Sequence, residues 1–292
     1  MSVLTVNLMS RILSGPVDIN VILPHPDLFT GEPEKFYTSG RRYRVLWLLH
    51  GGECDRSSWI AYTNLVRYVK DKEIMVVMPT GLNTDFANHI QFADGFMMTD
   101  FFFRELMPFV RGWLPASCAR EDNFIAGYSM GAAAAWMFGL YRPELFAKIF
   151  PLGSPPKDYS YMEPYREWKS GKFREEALAN PQKFPAGYGN PKAGIHLKEV
   201  NMISKYDTVG AFLDSCEHTG YRVREAAESG NMPEVYLLCD TGERGCRKVK
   251  EFQEKAEEWK SPKLHFEYTE KGLNEYAFCD DVLPRVLELC AD

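Results

Sequence analysis

The stretch "FIAGYSMGAAAAW", residues 124–136, decides the fold of this chain. A short apolar run ends in a Gly-Tyr-Ser-Met-Gly turn, and an alanine-rich run that favours a helix follows directly. A Gly-x-Ser-x-Gly turn between a strand and a helix strains the serine backbone and exposes its hydroxyl. Gly127 and Gly131 are needed because the two backbones pack too closely for a Cβ. The stretch therefore predicts a turn that presents Ser129 as a nucleophile, against the plainer alternative of a serine that caps a helix.

Seven other apolar runs accompany this one along the chain, which makes about eight predicted strands: "VLTVNLM", "DINVILP", "RVLWLLH", "IMVVMP", "AKIFPLG", "EVYLLC" and "KLHFEYT". From "RVLWLLH" onward the runs are almost continuously apolar, as in parallel strands buried on both faces, whereas the first two indicate an antiparallel pair. Helical patterns lie between them at residues 57–69, 99–112, 130–140, 247–259 and 276–289. This alternation predicts a mostly parallel, doubly wound α/β sheet.

Residues 154–230 interrupt the alternation. The segment is rich in Pro, Gly, Tyr and Lys before a helical pattern near its end. A connection of this length inside a compact domain is typically a functional loop or lid. We therefore predict a single domain over residues 1–292, with 154–230 as a lid-like insertion.

Composition and charge restrict the partners of the chain. Its 292 residues are 45% hydrophobic and carry a formal net charge of -6 without a basic run, which argues against nucleic acid or an anionic membrane surface. No signal-peptide pattern opens the chain, and no apolar run approaches the ~18 residues of a membrane span, so we expect a cytoplasmic protein. The seven cysteines include no CxxC pair and predict free thiols. No metal or phosphate-binding pattern is present, and we predict no metal and no cofactor.

A second glycine turn lies upstream in "LWLLHGGECDRSSW". Here His50, Gly51 and Gly52 end an apolar strand. The backbone N–H of Gly52, together with that of Met130, is predicted to hold an oxyanion that forms on a substrate carbonyl. The alternative is an ordinary tight turn. His50 is expected to be structural, because it precedes Ser129 and the triad order in this architecture is serine, acid, histidine.

Several stretches together resemble a known family: "VNLMSRILSGPVDINVILP", "LLHGG", "FFFRELMPFVRGWLPAS", "REDNFIAGYSMGAAAA" and "RPELFAKIFPLGS". They are similar to the tributyrin esterase and esterase D group of α/β-hydrolases, within the putative esterase family. The similarity covers nearly the whole chain, is strong over residues 1–155 and is weak in the insertion. It implies an α/β-hydrolase fold, a carboxylesterase that acts on short acyl esters, a small-molecule ester as partner, and self-association into a homo-oligomer.

The resemblance also assigns the site. It implies Ser129 as nucleophile and Gly52 and Met130 as oxyanion donors. One departure is Ala132, which stands where the family usually has a second glycine after the methionine. The family places its acid in the turn after "EVYLLC", where "CDTGERG" offers Glu243, with Asp240 close by. A surface carboxylate is the alternative reading of Glu243.

The position of the general base departs further from the family pattern. The resemblance implies Gly-x-His-Asp-Trp after the last strand, and this chain has "KGLNEYAF", so that Asn274 stands in the histidine position. An amide oxygen accepts hydrogen bonds but does not take a proton from serine at neutral pH. In serine hydrolases, loss of the histidine removes about 10⁶ in turnover, while the remaining machinery keeps ~10³ over water.

Three other histidines are candidates for a relocated base: His89, in a loop after a strand, and His196 and His218, in the insertion. His25 precedes the serine and breaks the chain order, and His265 lies inside the last strand, more than about 10 Å from its C-terminal end at ~3.3 Å per residue. Two hypotheses follow. The first is a serine carboxylesterase with an atypical triad, rescued by such a histidine or by a water held on Asn274 and Glu243. The second is a catalytically impaired descendant that acts as a binding or scaffold protein.

Overall fold

An eight-stranded sheet organises the part of the chain that the computed structural model describes, residues 2–27, 29–70, 72–89, 96–184 and 197–291. The strands in chain order are β1 (Ser2–Ser10), β2 (Gly15–Leu23), β3 (Arg44–Leu49), β4 (Ile74–Pro79), β5 (Asn88–His89), β6 (Phe96–Met97), β7 (Asn123–Tyr128), β8 (Lys148–Leu152), β9 (Glu234–Asp240) and β10 (Leu264–Thr269). Strands β5 and β6 form a separate two-stranded ribbon.

The main sheet runs in the order β1-β2-β4-β3-β7-β8-β9-β10. Strand β2 is antiparallel to both β1 and β4, and every pair from β4 to β10 is parallel. All eight predicted strands are present, and the antiparallel opening pair is confirmed. Strands β3 and β4 are buried almost throughout, as expected of parallel strands covered on both faces.

Twelve α-helices lie in the described ranges: α1 (Pro33–Tyr37), α2 (Ser58–Tyr62), α3 (Leu65–Tyr68), α4 (Met98–Phe101), α5 (Met107–Trp113), α6 (Met130–Tyr141), α7 (Ser170–Ala179), α8 (Leu197–Ile203), α9 (Val209–Leu213), α10 (Thr219–Ser229), α11 (Cys246–Glu257) and α12 (Glu275–Leu289). Short 3₁₀ turns cover Arg120–Asp122, Ser160–Tyr165 and Pro181–Lys183. The helices predicted at 130–140, 247–259 and 276–289 agree with α6, α11 and α12 to within two residues. In the described ranges, no helix is long and apolar enough to cross a bilayer.

The helix predicted over residues 57–69 is wrong, because it is broken into α2 and α3. Thr63 is extended at φ -136° and ψ 168°, and its hydroxyl donates to the Trp59 carbonyl oxygen at the end of α2. The next residue, Asn64, donates its backbone N–H to the Asp280 carboxylate on α12 at 2.6 Å. A contact over such a distance in sequence leaves no trace in the local pattern.

The helix predicted over residues 99–112 is present but irregular. It consists of α4, a π-helical turn at Phe102–Leu106, and α5. Pro108 lies in the first turn of α5 and has no N–H with which to continue the regular hydrogen-bond ladder. The π-helical turn lies immediately before α5, so the irregularity falls next to this proline.

Helix α6 packs against the sheet at close range. Nine of its twelve residues are buried, and a Cβ at Gly139 would lie 2.7 Å from the Ile149 Cγ2 atom on β8. The alanine and glycine residues of α6 permit this approach, because they place little or no side chain between the two backbones. The start of the helix, and with it Ser129, is therefore fixed relative to β7 and β8.

The insertion at 154–230 is built largely of short helices, α7 to α10, in its described part. Aromatic rings pack against one another there, with centroids 4.9 Å apart for Phe173 and Phe184 and 5.0 Å apart for Tyr159 and Phe212. A buried ion pair from Lys157 to Asp85, 2.7 Å long, joins the insertion to the loop after β4. The assignment of this segment as a lid stays a prediction. All seven cysteines are free thiols, as predicted.

Candidate active site

Ser129 lies in the sharp turn between β7 and α6, at φ 54° and ψ -110°. Positive φ is costly for a residue with a Cβ and persists only where the surrounding structure enforces it. The flanking glycines enforce it: a Cβ at Gly127 would lie 2.3 Å from the Gly131 carbonyl, and a Cβ at Gly131 would lie 2.3 Å from the Leu49 carbonyl oxygen. The turn thus has the strained strand-to-helix geometry that presents a serine hydroxyl at the end of a sheet.

The glycine turn after β3 lies directly beside this serine. A Cβ at Gly51 would be 3.7 Å from the Ser129 Cβ and 3.4 Å from the Tyr128 ring. Met130 is the first residue of α6, so its N–H has no partner inside the helix. The turn after β3, which contains Gly52, and the start of α6, which contains Met130, therefore both lie beside Ser129. Backbone N–H groups in this place could hold an oxyanion.

His50 is wholly buried beneath the glycine turn, and both ring nitrogens have partners. Its Nε2 accepts the Gly81 N–H at 2.8 Å, so the proton is on Nδ1, which lies 2.7 Å from the Gly51 carbonyl oxygen. Burial lowers the pKa of His50 and favours the neutral ring. The imidazole thus supports the turn and has no free nitrogen with which to act on Ser129.

Glu243, the predicted acid, lies in the turn between β9 and α11 and is only 8% exposed. Its Oε1 accepts the Glu275 N–H at 2.5 Å, and the Tyr128 hydroxyl lies 3.4 Å from Oε1 and 3.3 Å from Oε2. Burial raises the pKa of Glu243, while these two donors favour its charged form. The carboxylate therefore reaches the neighbourhood of the serine turn but contacts a tyrosine and a helix start.

Asp240, the neighbouring carboxylate, has a different role. It is fully buried and accepts hydrogen bonds from the Gly242 N–H at 2.8 Å, the Thr269 hydroxyl at 2.6 Å and the Lys271 N–H at 3.0 Å. Although burial opposes ionisation, these donors hold the pKa of Asp240 below its ordinary value. It ties the turn after β9 to the end of β10.

Asn274 immediately precedes α12, in the position that the resemblance gives to the histidine. It is exposed and extended, and its side chain makes no capping hydrogen bond to the helix. The following residue, Glu275, has a positive φ of 53°, so the chain turns sharply there and its N–H points to Glu243. The amide is thus at the start of the helix that Glu243 caps, without a hydrogen bond to Glu243 itself.

Two of the candidate relocated bases hold partners away from Ser129. The His89 Nε2 is 2.8 Å from the Thr84 carbonyl oxygen and must be the protonated nitrogen. His218 is 2% exposed, and its Nδ1 and Nε2 lie 3.1 Å from the Leu213 carbonyl and 3.3 Å from the Asp158 carboxylate. In the described ranges, no hydrogen bond joins the Ser129 hydroxyl to a base.

The other histidines add no base to the site. His196, the third candidate, lies outside the described residues. His265 is on β10, as the sequence indicates, and stacks on the Tyr236 ring with centroids 4.4 Å apart. His25 lies next to the Pro26 carbonyl oxygen, 2.7 Å from its Nδ1.

An aromatic cluster that the sequence did not predict lies between the glycine turn after β3 and the start of α12. The Tyr276 ring lies 5.3 Å from Trp59, 5.2 Å from Tyr62 and 5.9 Å from Tyr128, between centroids. Its hydroxyl accepts the Gly51 N–H at 3.4 Å and so connects α12 to the glycine turn. The available signals were that Tyr128 is the residue before the serine and that Tyr276 stands at the tryptophan position of the family pattern.

Comparison with known proteins identifies chains that are similar in sequence and in fold. Two esterases of Mycobacterium tuberculosis are 28% identical over 106 residues, which is 35% of this chain and only 23% of theirs. The fluorophosphonate-binding serine hydrolase F of Staphylococcus aureus superposes with a TM-score of 0.74 at 22% identity and covers 100% of this chain and 98% of its own. The S-formylglutathione hydrolase of the same organism gives 0.71 at 21% identity, with 100% and 99% coverage. These likenesses show the α/β-hydrolase fold.

The family comparison extends over most of the molecule. A model of the family described as putative esterase matches residues 20–276, which include both glycine turns, Glu243 and Asn274. This chain therefore belongs to the putative esterase family.

Proposed function

We propose that this protein is a serine carboxylesterase-type hydrolase of short acyl esters whose triad lacks its histidine. The observation that carries the proposal is the backbone of Ser129, held at φ 54° by glycines that leave no room for a side chain. Such strain is maintained at functional sites because it presents a reactive group. A serine that merely capped a helix would not need it.

The reaction begins when the Ser129 Oγ attacks the ester carbonyl carbon. In this proposal, the backbone N–H groups of Gly52 and Met130 hold the oxyanion that forms. The carbon–oxygen bond to the leaving group then breaks, the departing alkoxide takes a proton from solvent and leaves as the alcohol, and an acyl-serine remains. Attack by water on that acyl group releases the acid and restores the serine hydroxyl.

Asn274 limits both halves of this cycle. The serine proton has to go to solvent, because the amide does not take it up. By analogy with serine hydrolases without their histidine, we expect about 10⁶-fold lower turnover than in an intact triad and ~10³-fold acceleration over water. A water held between Asn274 and Glu243 is the remaining route for the proton.

The test compares three proteins: the wild type, Ser129→Ala and Asn274→His. Each is incubated with a fluorophosphonate probe and, separately, with p-nitrophenyl acetate. We expect slow labelling of the wild type that Ser129→Ala abolishes, a hydrolysis rate only slightly above that of Ser129→Ala, and a higher rate in Asn274→His. Fast hydrolysis by the wild type that Ser129→Ala removes would show that a base exists elsewhere, and His196 would be the first residue to replace.

A second candidate function is a binding or scaffold protein that keeps the pocket without chemistry. Two observations favour this candidate. The Asn274 amide is exposed, and hydrogen bonds to groups other than Ser129 are made by the rings of His50, His89 and His218. This candidate predicts no labelling of Ser129 at any probe concentration, together with saturable binding of a short-chain ester that is recovered unhydrolysed. Under either function, we propose the insertion at 154–230 as the cover of the site and a small-molecule ester as the partner.

A further inference from the structure

The buried carboxylate of Glu243 needs hydrogen-bond donors whether or not a histidine is present. A buried acceptor left without donors costs more than the hydrogen bond itself is worth. In an intact triad, the imidazole supplies one donor to the acid. Here the side-chain donor is the Tyr128 hydroxyl, at 3.3 Å and 3.4 Å from the two oxygens, and the backbone donor is the Glu275 N–H.

Tyr128 is held firmly in this place. It ends β7, its ring lies against the Gly51 backbone, and the Tyr276 ring packs against it. Burial and the Glu243 charge both raise the pKa of Tyr128 well above its ordinary value, so its hydroxyl stays protonated and remains a donor. Tyr128 therefore stays a donor over the pH range in which Glu243 ionises.

Access to the carboxylate is restricted on its other sides. A Cβ at Gly153, at the end of β8, would lie 3.4 Å from the Glu243 Oε2, and the start of α12 occupies Oε1. An imidazole introduced at position 274 would have to share the two Glu243 oxygens with the Tyr128 hydroxyl and the Glu275 N–H that already donate to them. The imidazole and the Tyr128 hydroxyl would then compete for the same acceptor.

We propose that Tyr128 has replaced the imidazole as the side-chain donor to the acid, and that it is a positioning residue which prevents a histidine at position 274 from coupling to Glu243. The inference rests on the proposed function, since it takes Asn274 to occupy the histidine position. Beyond that function, the inference states that restoring the base requires two substitutions, Asn274→His and Tyr128→Phe.

The experiment measures kcat/KM for p-nitrophenyl acetate in the wild type, Tyr128→Phe, Asn274→His and the double variant. We expect no gain from Tyr128→Phe, less than about 10-fold from Asn274→His, and at least about 10-fold more in the double variant than the two single effects predict together. The double variant should also gain a pH profile that rises near the ordinary histidine pKa of about 6.5, which a structural role of Tyr128 would not produce. Equal activity of Asn274→His and the double variant, both well above the wild type, would overturn the proposal.

A second measurement keeps the test valid if the double variant gains nothing. Carboxyl-carbon NMR of labelled glutamate follows the ionisation of Glu243 in the wild type and in Tyr128→Phe. Loss of a donor to the charged form should raise the pKa of Glu243 by about one unit. The matched control is Tyr236→Phe, which removes a hydroxyl 3.2 Å from the Glu234 carboxylate and should leave Glu243 unchanged.

The possible failures are distinguishable. An unchanged Glu243 in Tyr128→Phe refutes the role of Tyr128 and leaves the proposed function intact. Fast hydrolysis by the wild type refutes the missing base instead, and the NMR measurement still decides what Tyr128 does.

Discussion

The site has a serine half, formed by the turns after β3 and β7, and an acid half, formed by the turn after β9 and the start of α12. The two halves differ in the contacts that hold them in place. The serine half is fixed by backbone contacts: Gly127 against Gly131, and Gly131 against Leu49. In the acid half, Glu243 is held by hydrogen bonds from side chain and backbone, and Asn274 lies exposed at the surface.

This difference explains how the two halves can diverge. Backbone contacts between β3, β7 and α6 are part of the packing of the sheet, so the serine turn is maintained by the stability of the fold itself. The residue at position 274 makes no capping hydrogen bond and is not packed. A change there alters the chemistry at little cost in stability, because exposed positions tolerate substitution.

The largest effect is expected from Gly131→Ala. The added Cβ would meet the Leu49 carbonyl oxygen at 2.3 Å, and backbone on both sides leaves nothing flexible to yield. We expect a loss of about 3 kcal/mol or more in the free energy of unfolding, at the upper end for overpacking. Urea denaturation measures it.

Gly112→Ala is the matched control for that substitution. Gly112 lies in α5 with no atom within 4 Å of an added Cβ. The change should stabilise the protein by roughly 0.5–1 kcal/mol, because alanine favours a helix over glycine. Equal effects of the two substitutions would mean that backbone contacts do not hold the serine half.

The next effect concerns the acid half, through Glu243→Ala. The substitution leaves the Tyr128 hydroxyl and the Glu275 N–H without their acceptor and removes a negative charge from the start of α12. We expect a loss of about 2 kcal/mol in the free energy of unfolding at pH 7, from the unpaired donors and the helix dipole. A loss as large as that of Gly131→Ala would erase the contrast between the two halves.

Glu243→Gln tests the acid half through the pH dependence of the free energy of unfolding. The pKa of Glu243 is raised by burial, so the folded state binds this proton more tightly than the unfolded state. The contribution of Glu243 is therefore most favourable below the ordinary glutamate pKa of about 4.3 and declines as pH rises through the folded pKa. The unfolding free energy of the wild type, minus that of Glu243→Gln, should fall by about 1.4 kcal/mol for each unit of pKa shift. A difference that rises with pH would mean that the hydrogen bonds outweigh burial.

Particular residues show how far the sequence alone could predict this molecule. The eight strands and the turn at Ser129 were predictable, because apolar runs and the Gly-x-Ser-x-Gly spacing are local. The pairing of Tyr128 with Glu243 joins residues 115 positions apart, and no periodicity reports such a contact. The break between α2 and α3 likewise depends on Asp280 on α12. The change at Asn274 was visible only through the family resemblance, because an exposed amide has no pattern of its own.

A smaller effect is expected from Tyr276→Phe, which removes one of the side-chain hydrogen bonds between the two halves. Its hydroxyl accepts the Gly51 N–H at a rather long 3.4 Å, so we expect a loss of at most about 1 kcal/mol in the free energy of unfolding. Fluorophosphonate labelling of Ser129 should slow a few-fold, because the glycine turn loses a constraint. The control is Tyr62→Phe, in the same aromatic cluster and 63% exposed, which should leave labelling unchanged. Unaltered labelling in Tyr276→Phe would mean that this hydrogen bond does not constrain the glycine turn.

The smallest effect is expected from Asn274→Ala. The side chain is exposed and gives α12 no capping hydrogen bond, so its removal should change the free energy of unfolding by less than about 0.5 kcal/mol. Thr208→Ala is the matched control, since the Thr208 hydroxyl does cap α9 by accepting the Ala211 N–H at 3.1 Å, and its loss should cost about 1 kcal/mol. A cost for Asn274→Ala that equals or exceeds that of Thr208→Ala, in urea denaturation, would show that the asparagine supports the fold. The loss of the base would then have been compensated by a structural gain, and the two halves of the site would differ less than their contacts indicate.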